Sequence, residues 1–266
     1  MDLLLEATRR VESRHFWFRG LRRFLRPLLC RATAGRKGVR ILDCGSGTGV
    51  NLPLLARYGE AWAVDLSAYG TGLARAAGFA KTARASVACL PFRDAVFDVV
   101  TSLDVLYCLD EGDEPRAIQE MHRVLRPGGA AIVNVAAMPI LRGDHSVLSA
   151  EVRRYDRRSL RESLERAGFQ VDRLTHTNAT LFPLVFGQRM LERLVGLASP
   201  AGAAEKMTVP PAPVNELLTG LLALESFALR AVSLPFGSSL LCLATKPAWA
   251  GRAAASTEPP APGIGR

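Results

Sequence analysis

The sequence predicts an α/β protein built on a parallel sheet with helices on both faces. Three observations carry this. Short apolar runs alternate with helix-length segments along the first half of the chain. The first such run leads directly into a turn with glycines at alternate positions, "ILDCGSGTG". And 266 residues with 48% hydrophobic content can bury one large core, or one core with an appendage.

In chain order, residues 2–31 read as helical, with Trp17, Leu21, Phe24, Leu25 and Leu28 at helical spacing and Arg19, Arg22, Arg23 and Arg26 elsewhere on the cylinder. "VRILDC" is a buried strand and 49–57 a helix; "AWAVDLS" is a second strand and 68–77 a second helix. A short strand near 81–87, the strand "VFDVVTSLD" and a helix over 113–125 follow. "RPGG" is a turn into the strand "AAIVNVAA". Beyond it the patterning predicts a helix at 157–167, a strand near 170–180, apolar helices at 183–198 and 214–232, and a last strand, "SLLCLATK". "SPAGAAEKMTVPPAP" reads as a loop. The domain is expected to span 1–247, with a basic helical leader over 1–35, a helical cap insertion over 182–236, and a disordered tail over 248–266.

The five cysteines are scattered with no CxxC pair, which argues against a disulfide framework and a metal site and suits a reducing cytoplasm. The first residues are acidic where a signal peptide is basic, and no run of about 18 residues is free of charge, so neither export nor a spanning helix is expected. The net charge of +9 sits almost wholly in residues 1–40, where ten arginines and Lys37 oppose Asp2, Glu6 and Glu12. Without aromatics interleaved among basic residues elsewhere, this does not read as nucleic-acid binding. A basic amphipathic leader can instead lie on anionic lipid, which makes peripheral contact with the inner membrane face the alternative to a purely cytoplasmic protein.

The glycine turn decides the ligand class. A dinucleotide fingerprint needs G-x-G-x-x-G, and position 50 is Val. The spacing is instead Asp43, Gly45, Gly47, Gly49, which lets the backbone pass close under a flat ligand, with the amides of the next helix facing an anionic group. A conjugate of methionine and adenosine, carrying a carboxylate and no phosphate, fits that turn. Asp65, ending the second strand, stands where its carboxylate can accept from ribose hydroxyls.

At these residues the chain resembles the class I S-adenosylmethionine-dependent methyltransferases, most closely the methyltransferase type 11 group. "ILDCGSGTG", "AVDLS", "LPFRDAVFDVVTSLDVLYCL" and "EMHRVLRPGGAAIVNV" carry the resemblance, over residues 39–135. It implies a Rossmann-like seven-stranded sheet whose last strand is antiparallel beside the fifth. It also implies S-adenosylmethionine as cofactor, lined by Asp43, Gly45, Gly47, Gly49, Asp65, Leu66, Ser86, Val87 and Ser102. Ser86 stands where an Asp normally accepts from the adenine amino group, and Tyr107-Cys108 replace a Glu-His pair, removing a potential base. "ESRHFWFRGLRR" is similar to the H-x-W-F leader of a bacterial subgroup, whose segment after the fifth strand is similar to "DHSVLSAEVRRYDRR".

For catalysis, His145 is the expected base, just past the fifth strand, with Glu151 as a second base or the group orienting His145. Arg154 and Tyr155 are candidates for acceptor contact at the rim, and His15, Trp17 and Phe18 for a lid over the cofactor. The expected activity is methyl transfer to a small-molecule, saccharide or lipid-linked acceptor, at oxygen, by a monomer or homodimer. The alternatives are transfer to carbon or nitrogen of a secondary metabolite, and a silent S-adenosylmethionine-binding scaffold.

Overall fold

A computed structural model describes residues 2–142, 144–196 and 199–248; the expected tail past 248 lies outside them. The described residues form a seven-stranded sheet in the order β3-β2-β1-β4-β5-β7-β6. The strands are β1 (Arg40–Cys44), β2 (Glu60–Asp65), β3 (Thr82–Arg84), β4 (Phe97–Leu103), β5 (Leu125–Ala136), β6 (Gln170–Thr177) and β7 (Ser239–Thr245). The pairs among β1 to β5 are parallel, whereas β7 runs antiparallel between β5 and β6. All seven residues of β4 are buried, as a central strand covered on both faces requires.

The helices are α1 (Asp2–Val11), α2 (Phe16–Thr33), α3 (Leu52–Leu55), α4 (Ala68–Ala76), α5 (Asp113–Val124), α6 (Asp144–Leu148), α7 (Arg157–Arg166), α8 (Phe182–Val195), α9 (Pro200–Lys206) and α10 (Ala212–Ala228). One face of the sheet is packed by α5 and α7 through Ile118, Met121, Leu160 and Leu164, the other by α2 and α10 through Leu25, Leu29, Leu218 and Leu222. Each such side chain contributes roughly 1.5–3 kcal/mol on burial.

Four expectations change. The leader is two helices, broken where His15 leaves helical geometry and caps α2, its Nδ1 accepting from the Trp17 amide. The helix after the glycine turn shrinks to one turn, because the turn's own geometry runs on to Asn51. "RPGG" lies within β5 at a register shift opposite Phe97 and Val99. The loop before α10 holds α9, capped by Ser199 through the Gly202 amide.

α2 and α10 pack closely against each other, and the sequence of each explains why. A Cβ on Gly20 would lie 2.4 Å from Leu222 Cδ1, so glycine lets the helices close. Pro27 cannot donate to the Arg23 carbonyl one turn back, and Ser226 Oγ from α10 donates to that carbonyl instead at 3.1 Å. Asn215 joins the same seam to the leader's break, its Oδ1 accepting from the Phe16 amide and its Nδ2 donating to the Arg14 carbonyl.

Candidate active site

Strand order reverses between β1 and β4, and in open α/β sheets the crevice at the carboxyl ends of such strands binds ligands. β1 ends in the glycine turn, where Gly45, Gly47 and Gly49 have φ of +79°, +54° and +80°, a region side chains rarely enter. At Gly45 a Cβ would also lie 2.4 Å from Val105 Cγ2. Asp65 holds this turn: its Oδ2 accepts from the Gly47 amide at 2.7 Å and its Oδ1 from the Ser67 amide at 2.8 Å. Each oxygen keeps a second lone pair for a ligand hydroxyl.

Several buried polar atoms without partners gather at this edge. Among the described residues, Asp43 Oδ2, Ser46 Oγ, Ser102 Oγ and Asn134 Oδ1 are buried and unbonded, and all lie at or beside the carboxyl edge of β1, β4 and β5. A buried polar group left unpaired costs about 1–3 kcal/mol, so this edge is built to be completed by something polar. Asp43 Oδ1 accepts from Thr101 Oγ1 at 2.6 Å; burial, helped by nearby Asp65 and opposed by Thr101, pushes its carboxyl up to about 6. The turn and these atoms fit a cationic, hydroxyl-rich nucleoside such as S-adenosylmethionine.

The second half of the site is one the sequence reading passed over. Asp104, just past β4, adopts φ +63°, and its Oδ1 accepts from Asn134 Nδ2 on β5 at 2.8 Å. Its surroundings push the carboxyl up to about 7, burial raising it against the lowering effects of Asn134 and Arg154. The legible signal was an acid one residue past a strand that ends at the ligand edge.

The leader covers the turn, through residues other than those expected. Leu5 Cδ2 sits 3.2 Å from where a Gly47 Cβ would stand, Asp2 accepts from Ser67 Oγ at 2.8 Å, and Glu12 Oε2 accepts from Thr48 Oγ1 at 2.6 Å. Burial raises the Glu12 carboxyl above its ordinary range, against Thr48 and Arg22. His15 stacks on Phe16 with ring centres 4.4 Å apart, and burial lowers it to about 4. Trp17 and Phe18 are half-buried beside it on α2.

The remaining expected residues are spread around this edge. Ser86 Oγ accepts from the Ala88 amide, Val87 is in the core, and Leu66 is exposed beside Asp65. His145 lies in α6, but its side chain falls outside the described residues. Glu151 is buried and held by Arg154 through two contacts of 2.7 and 2.9 Å. Arg154 also donates to the Ala137 carbonyl and Ser146 Oγ, stapling α6 to the end of β5. Asp144 pairs with Lys206 of α9 at 2.6 Å. Tyr155 is in the core, its hydroxyl donating to Glu114.

Residues 42–133 match the family model described as a methyltransferase domain. The ubiquinone/menaquinone biosynthesis C-methyltransferase UbiE of Ralstonia pickettii is 33% identical over 123 residues, 43% of this chain and 50% of that protein. The chain thus spans about half the length of the curated relatives it matches. Among solved structures, an S-adenosylmethionine-dependent methyltransferase from Thermotoga maritima superposes with a TM-score of 0.56 at 18% identity, covering 92% of this chain and 99% of that one. The cyclase SpnF superposes with a TM-score of 0.54 at 22% identity, covering 84% and 80%. These likenesses show the fold; SpnF is a [4+2]-cyclase, so the fold alone does not set the reaction.

Proposed function

We propose, from the premise that residues 42–133 are a class I S-adenosylmethionine-dependent methyltransferase domain, that this protein methylates a hydroxyl-bearing, partly apolar acceptor. The observation that carries the reading is the glycine turn pinned by Asp65 above the unpaired Asp43 Oδ2. The cofactor supplies an electrophilic methyl group on a sulfonium. Gly45 and Gly47 give it a floor without side chains, Asp65 receives its ribose hydroxyls, and Asp43 sets a negative charge near the cationic end. Ser46 and Ser102 offer the hydroxyls that otherwise stay unpaired.

Transfer from a sulfonium is an in-line displacement, so holding nucleophile and methyl together is the main contribution, on the order of 7–11 kcal/mol in good cases. Asp104 is poised to accept the acceptor's hydroxyl proton; Asn134 Nδ2 fixes the carboxylate through its Oδ1, and the amide's own Oδ1 stays free to bond the acceptor. His145 remains a candidate for the same task, on an element held by Arg154 and Lys206. Glu151 serves better as the anchor of that element than as a base, since both its oxygens face Arg154. The apolar helices between β6 and β7 support an acceptor with an apolar or lipid-linked part.

Oxygen is the methylated atom on this reading. Carbon is the second reading, favoured by the C-methyltransferase name of the relatives at about 30% identity. Both need the hydroxyl proton removed when the acceptor is phenolic. Calorimetric titration with S-adenosylmethionine, followed by incubation with hydroxylated aromatic and isoprenoid acceptors and a labelled methyl donor, tests the proposal. Product NMR separates methyl ether from methylated carbon. Absence of binding removes the reading, and binding without any methylated product favours a scaffold.

A further inference from the structure

We propose that the outward face of α10, together with the arginine row of α2 beside it, docks the protein on an anionic lipid membrane. The inference goes beyond the methyl-transfer reading and does not depend on it.

α10 is apolar on both sides. Its inner face is spent on α2, yet Val214, Leu217, Leu224 and Phe227 point outward, with Leu217, Leu224 and Phe227 exposed by 65%, 69% and 71%. These positions recur at helical spacing along a helix about 25 Å long, so they form one continuous stripe. Exposed apolar stripes of this kind mark interaction sites. Over residues 212–236 the acids are Glu216, already paired with Arg19 at 2.5 Å, and Glu225, turned inward to Thr180.

The border of the stripe says what covers it. α2 runs alongside in parallel, with Arg19 at Glu216 and Arg23 at Ser226, and Arg26 exposed one turn further. At the other end the Arg230 guanidinium lies over the Phe227 ring, 5.6 Å from its centre. An apolar stripe rimmed by arginines complements a surface that is apolar inside and negative at its head groups. A second copy packed antiparallel on this stripe, about a two-fold axis across the helix, would bring another arginine row against this one, which like-charge repulsion disfavours. Among the described residues no helix is long and apolar enough to cross a membrane, so the helix would lie in the interface plane. Asn215 links this helix to the Arg14–Phe16 break of the leader, setting the membrane face next to the element that covers the glycine turn.

Sedimentation of the full chain with vesicles tests the assignment. Vesicles containing phosphatidylglycerol should carry the protein down, pure phosphatidylcholine vesicles should do so far less, and added salt should release it. Leu224→Gln with Phe227→Gln, and separately Arg26→Gln with Arg230→Gln, should each weaken binding, by about fivefold per arginine removed. Both pairs are exposed, so thermal melts should match the wild type. Arg116→Gln, on the helix layer across the sheet, should change nothing. Equal binding to both vesicle types, or none to either, overturns the proposal. So does a dimer in sedimentation velocity that the Leu224/Phe227 pair dissolves.

Discussion

Asp65 Oδ2 accepts a hydrogen bond from the Gly47 amide at 2.7 Å, so the acid ending the second strand fixes the turn that ends the first. The strand-end acid and the glycine turn are therefore one mechanical unit. Asp65→Ala should weaken S-adenosylmethionine binding by about 1.5–3 kcal/mol, through lost ligand bonds and a loosened turn together. Asp65→Asn keeps one acceptor oxygen and should fall between. Titration calorimetry gives the values, and an unchanged affinity in Asp65→Ala would dissociate the turn from the ligand.

Asp104 should impose a pH limb on turnover. As a base it must be ionised, so activity should rise with pH through about 7. Asp104→Asn should lower turnover roughly 10²–10⁴-fold with cofactor affinity nearly unchanged. The sharper check is Asn134→Leu. Its amide favours the ionised carboxylate, so its removal should move the limb to higher pH. A limb that stays in place in Asn134→Leu would assign the titration to another group.

The segment after β5 separates anchoring from chemistry. Arg154→Ala removes both close hydrogen bonds to the buried Glu151 carboxylate and leaves it, among the described residues, only the Arg142 guanidinium 3.8 Å away, so it should cost up to about 3–5 kcal/mol of stability, read from denaturant unfolding. Glu151→Gln should cost turnover only as far as α6 shifts. If Glu151→Gln instead abolishes turnover while the melt is unchanged, Glu151 is a base. His145→Ala tests the other candidate in the same assay: a loss of roughly 10²–10⁴-fold, with the Asp104 limb intact, would give the proton to His145.

Removing residues 1–12 should leave a folded protein, since α1 buries little beyond Leu5, Ala7 and Val11. Cofactor dissociation should accelerate at least about tenfold, a loss near 1.4 kcal/mol of retention. Stopped-flow release of S-adenosylhomocysteine reads this directly. An unchanged release rate would make α1 a structural cover rather than a lid.

The leader shows where sequence periodicity runs out. Apolar spacing over 2–31 is continuous enough to predict a helix, yet His15 breaks it by exchanging helical geometry for a cap on Trp17. The H-x-W-F motif points to His15, Trp17 and Phe18, whereas Leu5, Asp2 and Glu12 are the residues that meet the glycine turn. Those contacts span 36 to 65 residues of chain, and nothing local encodes them. Ser226 and Pro27 are a similar pair: the missing donor of Pro27 is visible in the sequence, whereas the hydroxyl that answers it is 199 residues away.

By itself the sequence determined the strand and helix alternation, the cofactor class and the acid that goes with the turn. Each of these depends on properties carried within a short window: backbone freedom at glycine, two-residue and three-to-four-residue periodicity, and a carboxylate at a strand end. Tertiary structure alone decided that Glu151 is bound to Arg154 and that Asp104 meets Asn134. It also decided that α10 spends one apolar face on α2 and leaves the other exposed. Whether a carboxylate is a base or an anchor depends on which charges surround it once buried, and those neighbours come from strands and helices distant in the chain.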